Sequence, residues 1–212
     1  MKSKTKAVIF DLGNVLIPFS YQKACDELAK YSNLTARQIH FRIFYTNELS
    51  KYTKGFISTH QFYEWVFRQI SATRTFTFTK FSDLWNSIFG ENLDAEHILA
   101  RIKPGIKKFC LSDTNALHWL RTAELPLIKT HFPYSDQQIL SFRVSLRKPD
   151  KRIFRLAIKR SGVKPQEIVY VDDTPEYVTA FEKLGIRGIV YNCQTDPIEV
   201  LESRLLELGI II

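Results

Sequence analysis

Four short stretches of this chain carry the residue types that chemistry needs. Asp11 closes the apolar run Ala7-Val8-Ile9-Phe10 and is followed by Leu12-Gly13-Asn14; Ser112 follows the run from Ile106 to Leu111; Asp172 and Asp173 close the run from Glu167 to Val171; and Lys148 opens a helical segment between the last two. A charge at the end of a buried strand needs a reason, because a carboxylate is costly to desolvate. The carboxyl ends of parallel strands are where open α/β sheets place their sites, so residues far apart in sequence converge on one edge. Carboxylates crowded there repel unless a cation sits among them. Oxygen ligands from Asp11 and from Asp172 or Asp173, with a backbone carbonyl and water, suit Mg²⁺. A lysine and a serine hydroxyl beside that ion would hold a phosphoryl group, so the chemistry indicated is phosphoryl transfer. Each residue also has a plainer use. Asp11, Ser112 and Asp172 could cap the helices that follow them, and Lys148 could be a solvated lysine at a helix start.

The elements that must position these residues are read from periodicity. Ala7 to Phe10 suits the centre of a parallel sheet, covered on both faces, and Gly13 permits a turn and a close backbone approach to a ligand. From about 20 to 103 the chain reads as consecutive helices. One spans Tyr21 to Tyr31, one is capped by Thr35, and one opens on a Ser58/Gln61 capping box. A face of Phe81, Leu84, Trp85, Ile88 and Phe89 follows, and then a helix from Asp94 through Ile102. Lys54-Gly55 interrupts the series, and Ser71 to Thr79 reads as a loop. The α/β rhythm returns at Gly105. The strand from Ile106 to Leu111 leads to a helix with Leu117 and Leu120, and Ile139 to Val144 reads as a short extended segment. A helix with Ile153, Phe154 and Ala157 comes next, then the strand to Val171 and a helix opened by Pro175 and stopped by Gly185. A strand at Ile186 to Tyr191 and a helix over Asp196 to Leu208 close the chain. The alternation predicts an α/β fold with a Rossmann-like parallel-sheet core and right-handed crossovers. The expected division is a core of 1–17 and 96–212 with an all-helical insertion at 18–95.

Composition narrows the partners. With 212 residues, 45% of them hydrophobic, the chain can bury a substantial core. No apolar run approaches the roughly 20 residues of a membrane span, so no membrane partner is expected, and the basic Met1 to Lys6 leads into a strand rather than a signal-peptide core. Cys25, Cys110 and Cys193 lack metal-type spacing and read as reduced thiols of a cytoplasmic protein. The net charge of +8 favours anionic partners. Basic residues are spread along the whole chain, with no zinc spacing, RNA-binding signature or basic helix, so no nucleic acid is expected. The partner expected is a small phosphorylated molecule. Nothing in the sequence specifies an oligomeric state.

The motifs also resemble a known family. Phe-Asp-Leu-Gly-Asn-Val-Leu at 10–16, Leu-Ser-Asp-Thr-Asn at 111–115, Arg-Lys-Pro-Asp at 147–150 and Val-Asp-Asp-Thr-Pro-Glu at 171–176 are similar, in type and order, to the haloacid dehalogenase superfamily. The Asp-Leu-Gly-Asn-Val form looks most like its capped phosphatases of the α-D-glucose-1-phosphate phosphatase type, and 18–95 lies where that family inserts a helical C1-type cap. The resemblance implies that Asp11 attacks phosphorus to form an aspartyl-phosphate, which water then hydrolyses. It implies Asp11, the Gly13 carbonyl, Asp172 and Asp173 as the Mg²⁺ set. It also implies Ser112, Asp113 and Lys148 as the phosphate-binding set, with Lys148 neutralising charge and orienting Asp11. The function implied is a Mg²⁺-dependent phosphatase of a small phosphorylated metabolite, a sugar phosphate among them.

Three departures shape the alternatives. Gly13 stands where most of these phosphatases carry a general acid–base aspartate, a group worth roughly 10²- to 10⁴-fold in rate. A preference for good leaving groups, or protonation through water, is the expectation that follows. Asp113 replaces a usual asparagine. A carboxylate about 5 Å from a phosphate would cost on the order of 3 kcal/mol at an effective dielectric near 20, unless it pairs with Arg147 or Lys148. Ser145 replaces a glycine. A fold that binds without turnover is therefore one alternative. A 2-haloacid dehalogenase is another, although Asp172-Asp173 speaks against it because those enzymes work without metal. Tyr52, His60, Tyr63 and Trp65 are candidates for lining the pocket, and His118 reads as structural.

Overall fold

The strand β1 (Ala7–Phe10) is buried at every residue, the environment its unbroken apolar run requires. The computed structural model describes residues 4–212; Met1 to Ser3 lie outside them. β1 pairs in parallel with β2 (Lys107–Ser112) on one side and β4 (Ile168–Asp172) on the other. β3 (Gln138–Leu140) and β5 (Arg187–Val190) lie outside these, giving the order β3-β2-β1-β4-β5. The chain winds outward from β1 to β3 and then returns to the other side, so the reversal falls beside β1. Such a reversal opens a crevice at the carboxyl ends of the strands, where Asp11, Ser112 and Asp172 stand.

Two layers of helices cover the sheet. On one face Val8, Phe10, Cys110 and Val171 pack with α6 (Leu93–Ala100), α8 (Pro126–His131) and α12 (Ile198–Glu207). On the other, Ile9, Leu111 and Tyr170 pack with α10 (Lys151–Ser161) and α11 (Pro175–Glu182). Five helices, α1 (Tyr21–Ala29), α2 (Ala36–Ile43), α3 (Asn47–Thr53), α4 (Thr59–Gln69) and α5 (Phe78–Asn86), enclose a separate cluster that includes Phe62, Phe81 and Trp85. Both expected caps are present, with complete capping boxes at Thr35 and Ser58.

Several details differ from the sequence reading. The helix α3 was not anticipated; its seven residues are too few for a periodic signal, and Thr46 caps it. Asn92, rather than Asp94, starts α6, which carries its buried Ala95, Ile98 and Leu99 to the sheet; the expected division at 95/96 falls inside this helix. In α7 (Ala116–Thr122) the buried face is His118, Trp119 and Thr122, and Leu120 points to solvent. The segment expected as extended through Val144 leaves β3 at Leu140 and makes the helical turn α9 (Ser141–Val144). Ser145 then takes a left-handed φ of 56°, a conformation glycine adopts at less cost. Among the described residues, no helix is long and apolar enough to cross a membrane.

His118 joins the sheet's α7 to the helical cluster. Its Nε2 lies 2.9 Å from the Trp85 carbonyl, which can only accept, so Nε2 carries the proton and Nδ1 accepts from the Asn115 amide at 3.0 Å. The ring also stacks on Trp85. Burial pushes the imidazole down to about 4. Because the folded value is depressed below the unfolded one, the unfolded state binds the extra proton between pH 6.5 and about 4. The stabilisation is therefore complete above that window and lost as pH falls through it, on the order of 3 kcal/mol. Unfolding free energies measured from pH 7 to pH 4 should fall more steeply for the wild-type protein than for His118→Gln.

Candidate active site

Lys148 sits where three strands end. It opens the turn before α10, and its side chain is 2% exposed. Its ammonium lies 3.0 Å from Asp11 Oδ1 and 2.7 Å from Asp172 Oδ2. Asp172, fully buried, also accepts a short hydrogen bond from the Tyr170 hydroxyl and one from the Thr174 N–H at 2.9 Å. Tyr170 and Asp172 are two apart on β4 and so lie on the same side of the strand. Burial alone would push the Lys148 ammonium down, but Asp11, Tyr170 and Asp172 carry it well above its ordinary value. Lys148 is thus a permanently charged buried cation, not a solvated helix-start lysine.

Asp11 follows β1, and its backbone N–H is held by the Val171 carbonyl at 2.8 Å. Burial pushes its carboxyl well above the usual range and Asp172 and Asp173 add to that, while Lys148 pulls it back. Burial and Asp172 also raise Asp173. Asp173 is the less committed of the acidic pair: Asn14 Nδ2 approaches it at 3.4 Å and the Thr174 hydroxyl at 3.2 Å. Asn14 itself has a left-handed φ of 54° and accepts the Phe19 N–H at 3.0 Å.

These residues fit a divalent cation. One oxygen from each of Asp11, Asp172 and Asp173 lies within 4.8 Å of the others, and hard oxygen donors suit Mg²⁺. Three carboxylates face a single ammonium, so excess negative charge is concentrated in a buried place. The Gly13 carbonyl has no backbone partner among the described residues.

The expected phosphate-binding set divides. Ser112 is buried, and its hydroxyl has no hydrogen-bond partner among the described residues. It does not cap α7, a task Asn115 performs. Asp113 has both oxygens committed: Oδ2 accepts from Arg147 Nε at 3.1 Å and Oδ1 from the Lys148 N–H at 3.1 Å. The departure from asparagine is thereby accommodated by an ion pair. Ser112, Asp113 and Gly13 border a cavity of about 40 Å³ walled by Phe19, Tyr21 and Phe89. A Cβ added to Gly13 would lie 2.6 Å from Phe19 Cε1, so the ring fills the space a side chain at 13 would need. Of the pocket candidates in the helices, Tyr52 is buried with its hydroxyl on Thr59, and His60 faces Glu64 on an exposed surface.

The sequence matches a family of hydrolases described as haloacid dehalogenase-like over residues 5–185. That span includes every strand end just described except β5. The chain belongs to the haloacid dehalogenase-like hydrolases. Among curated proteins it is 25% identical over 186 residues to the D-ribitol-5-phosphate phosphatase of Bacteroides thetaiotaomicron, covering 85% of this chain and 88% of that one. It is 27% identical over 218 residues to acyl-CoA dehydrogenase family member 10 of Mus musculus, covering 97% of this chain and 20% of the mouse protein, so it spans a fifth of that relative's length. Among solved structures, a predicted HAD-like family hydrolase from Porphyromonas gingivalis superposes with a TM-score of 0.80 at 23% identity, covering 96% of this chain and 98% of that one. A HAD family enzyme from Bacteroides thetaiotaomicron, in complex with magnesium and inorganic phosphate, gives 0.76 at 21% identity, covering 91% and 96%. At these identities the structures establish the fold, a HAD-type Rossmann-like core.

Several residues of this haloacid dehalogenase-like site were not picked out from the sequence. Tyr170 was legible from its two-residue spacing to Asp172. Tyr21 and Phe19 carry no such signal, because nothing local says that the start of α1 faces the strand ends. The Asp113 contacts yield a direct expectation. Asp113→Ala, which strands Arg147 and the Lys148 N–H, should cost about 1–3 kcal/mol in urea unfolding. Asp113→Asn, whose amide oxygen still accepts the Lys148 N–H, should cost less.

Proposed function

We propose that this hydrolase is a Mg²⁺-dependent phosphatase of a small phosphorylated metabolite, of the sugar- or polyol-phosphate class, acting through an aspartyl-phosphate on Asp11. The observation that carries the reading is the buried ammonium of Lys148 held between Asp11 and Asp172 beside Asp173. The D-ribitol-5-phosphate phosphatase relative and the magnesium- and phosphate-bound neighbour support the substrate class and the metal.

In this reading Lys148 favours the ionised form of Asp11 against the effect of burial and aligns it, and its charge offsets that of the incoming phosphoryl group. The Asp11 oxygen not facing Lys148 attacks phosphorus. Ser112, whose hydroxyl is otherwise unpartnered, donates to a phosphoryl oxygen. Asp11, Asp173 and the Gly13 carbonyl would hold Mg²⁺, with Asp172 ligating directly or through water. The bound ion would supply electrostatic stabilisation of the transferring group. Asp172, which accepts from Lys148, Tyr170 and the Thr174 N–H, fixes the ammonium in place. Asp113 acts by positioning, since its two oxygens hold the Arg147-Lys148 turn. Residues 18–95 are proposed as the cap that covers the strand ends and excludes water. The location proposed is the cytoplasm.

The test is phosphate release from a panel of sugar, polyol and nucleotide monophosphates, with and without Mg²⁺. Turnover should require the metal, and Asp11→Asn should lower it by roughly 10³-fold or more while the variant stays folded. Activity that survives Asp11→Asn would overturn the reading. Folded wild-type protein that binds Mg²⁺ and releases no phosphate from any ester would favour a binding protein.

A further inference from the structure

We propose that the Tyr21 hydroxyl, at the first turn of α1, is a catalytic group that donates to the leaving oxygen of the phosphate ester. The proposal rests on the phosphatase reading of Asp11.

Three observations support it. Tyr21 borders the same cavity as Gly13 and Ser112, the space next to the place where the phosphoryl group would sit. Its hydroxyl has no hydrogen-bond partner among the described residues, although its ring is firmly held, edge-on to Phe19 at 4.9 Å and tilted against Phe44 at 4.3 Å. Finally, Ser112 and Asp113, at and just after the end of β2, line that cavity too, so Tyr21 shares its space with the strand ends and not only with the aromatic side chains of the helical cluster. Burial pushes the phenol up to about 12, so it is a proton donor across the working range. A side chain on Gly13 would meet the Phe19 ring, since a Cβ there lies 2.6 Å from Phe19 Cε1.

The step balances. Asp11 attacks phosphorus and the P–O bond to the leaving group breaks, with its electron pair passing to the leaving oxygen. The phenolic proton follows that pair, so the product departs as a neutral alcohol and Tyr21 is left as phenolate. The water that hydrolyses the aspartyl-phosphate returns its proton to the phenolate, restoring the starting state.

The experiment compares Tyr21→Phe with wild type on an alkyl ester, glycerol 1-phosphate, whose alkoxide is more basic than the phenolate, and on 4-nitrophenyl phosphate, in the presence of Mg²⁺. Phenylalanine keeps the ring contacts and removes only the donor. The expected result is a fall in kcat/KM of about 10²-fold on glycerol 1-phosphate, the lower range for general acid catalysis. The fall on 4-nitrophenyl phosphate, whose leaving group needs little help, should be at least tenfold smaller. Equal falls on both esters, or none, overturn the proposal and leave Asp11 chemistry standing. No wild-type turnover of either ester, with Asp11→Asn indistinguishable, overturns both readings. Should Tyr21→Phe fail to fold, a series of substituted phenyl phosphates on wild type decides. A shallow dependence of kcat/KM on leaving-group basicity supports proton donation, and a steep one overturns it.

Discussion

A lysine ammonium buried among carboxylates is the arrangement on which the rest of this structure depends. Removing two partners from water costs several kcal/mol per ion, and the cost is recovered only where geometry is good and the remaining hydrogen bonds are made. Lys148 meets that condition through Asp11 at 3.0 Å and Asp172 at 2.7 Å, with Tyr170 and Thr174 completing Asp172. The parallel sheet supplies the place: β1 and β4 are adjacent, so Asp11 and Asp172 emerge side by side. The Asp113 carboxylate holds the turn that brings Lys148 to them. Removing the ammonium would leave both carboxylates uncompensated in the interior, an effect typically of about 3–5 kcal/mol. Two carboxylates already outnumber the single ammonium and Asp173 adds a third, which is why the site suits a divalent cation.

The helices between residues 20 and 86 meet this centre through α1, whose first residue, Tyr21, lines the same cavity as Gly13 and Ser112. Their interior is an aromatic cluster that needs no ligand to be stable. At its lower edge, however, Phe19, Tyr21 and Phe89 close over Ser112 and Gly13, leaving about 40 Å³. Residues of the helical segment and of the strand ends thus share the lining of one small cavity. The overall charge of +8 suits the delivery of an anionic substrate to such a site.

Much of this was legible in the residues. Asp11, Ser112, Lys148 and Asp172-Asp173 could be placed on one sheet edge because the strands are apolar runs of parallel-sheet type and the ends are polar. The caps at Thr35 and Ser58 were readable because side chain and backbone are three residues apart. What could not be read were relations across the fold. Neither the filling of the space at Gly13 by Phe19 nor the placing of Tyr21 over Ser112 follows from any local pattern. The helix α3 and the turn α9 are too short to show a period, and Leu120 looked like a core residue because it stands three positions after Leu117. Asp113 could be reasoned to pair with Arg147 or Lys148, but only the structure shows that it meets the Arg147 guanidinium and the backbone N–H of Lys148 together.

The measurement that addresses the central claim most directly is acid quenching of the protein during turnover with Mg²⁺ and a phosphate ester, followed by mass mapping of the peptide that contains Asp11. The account predicts one added phosphoryl group on Asp11, present only with the metal. A phosphoryl group on any other residue, or turnover with none trapped under rapid quenching, would contradict it.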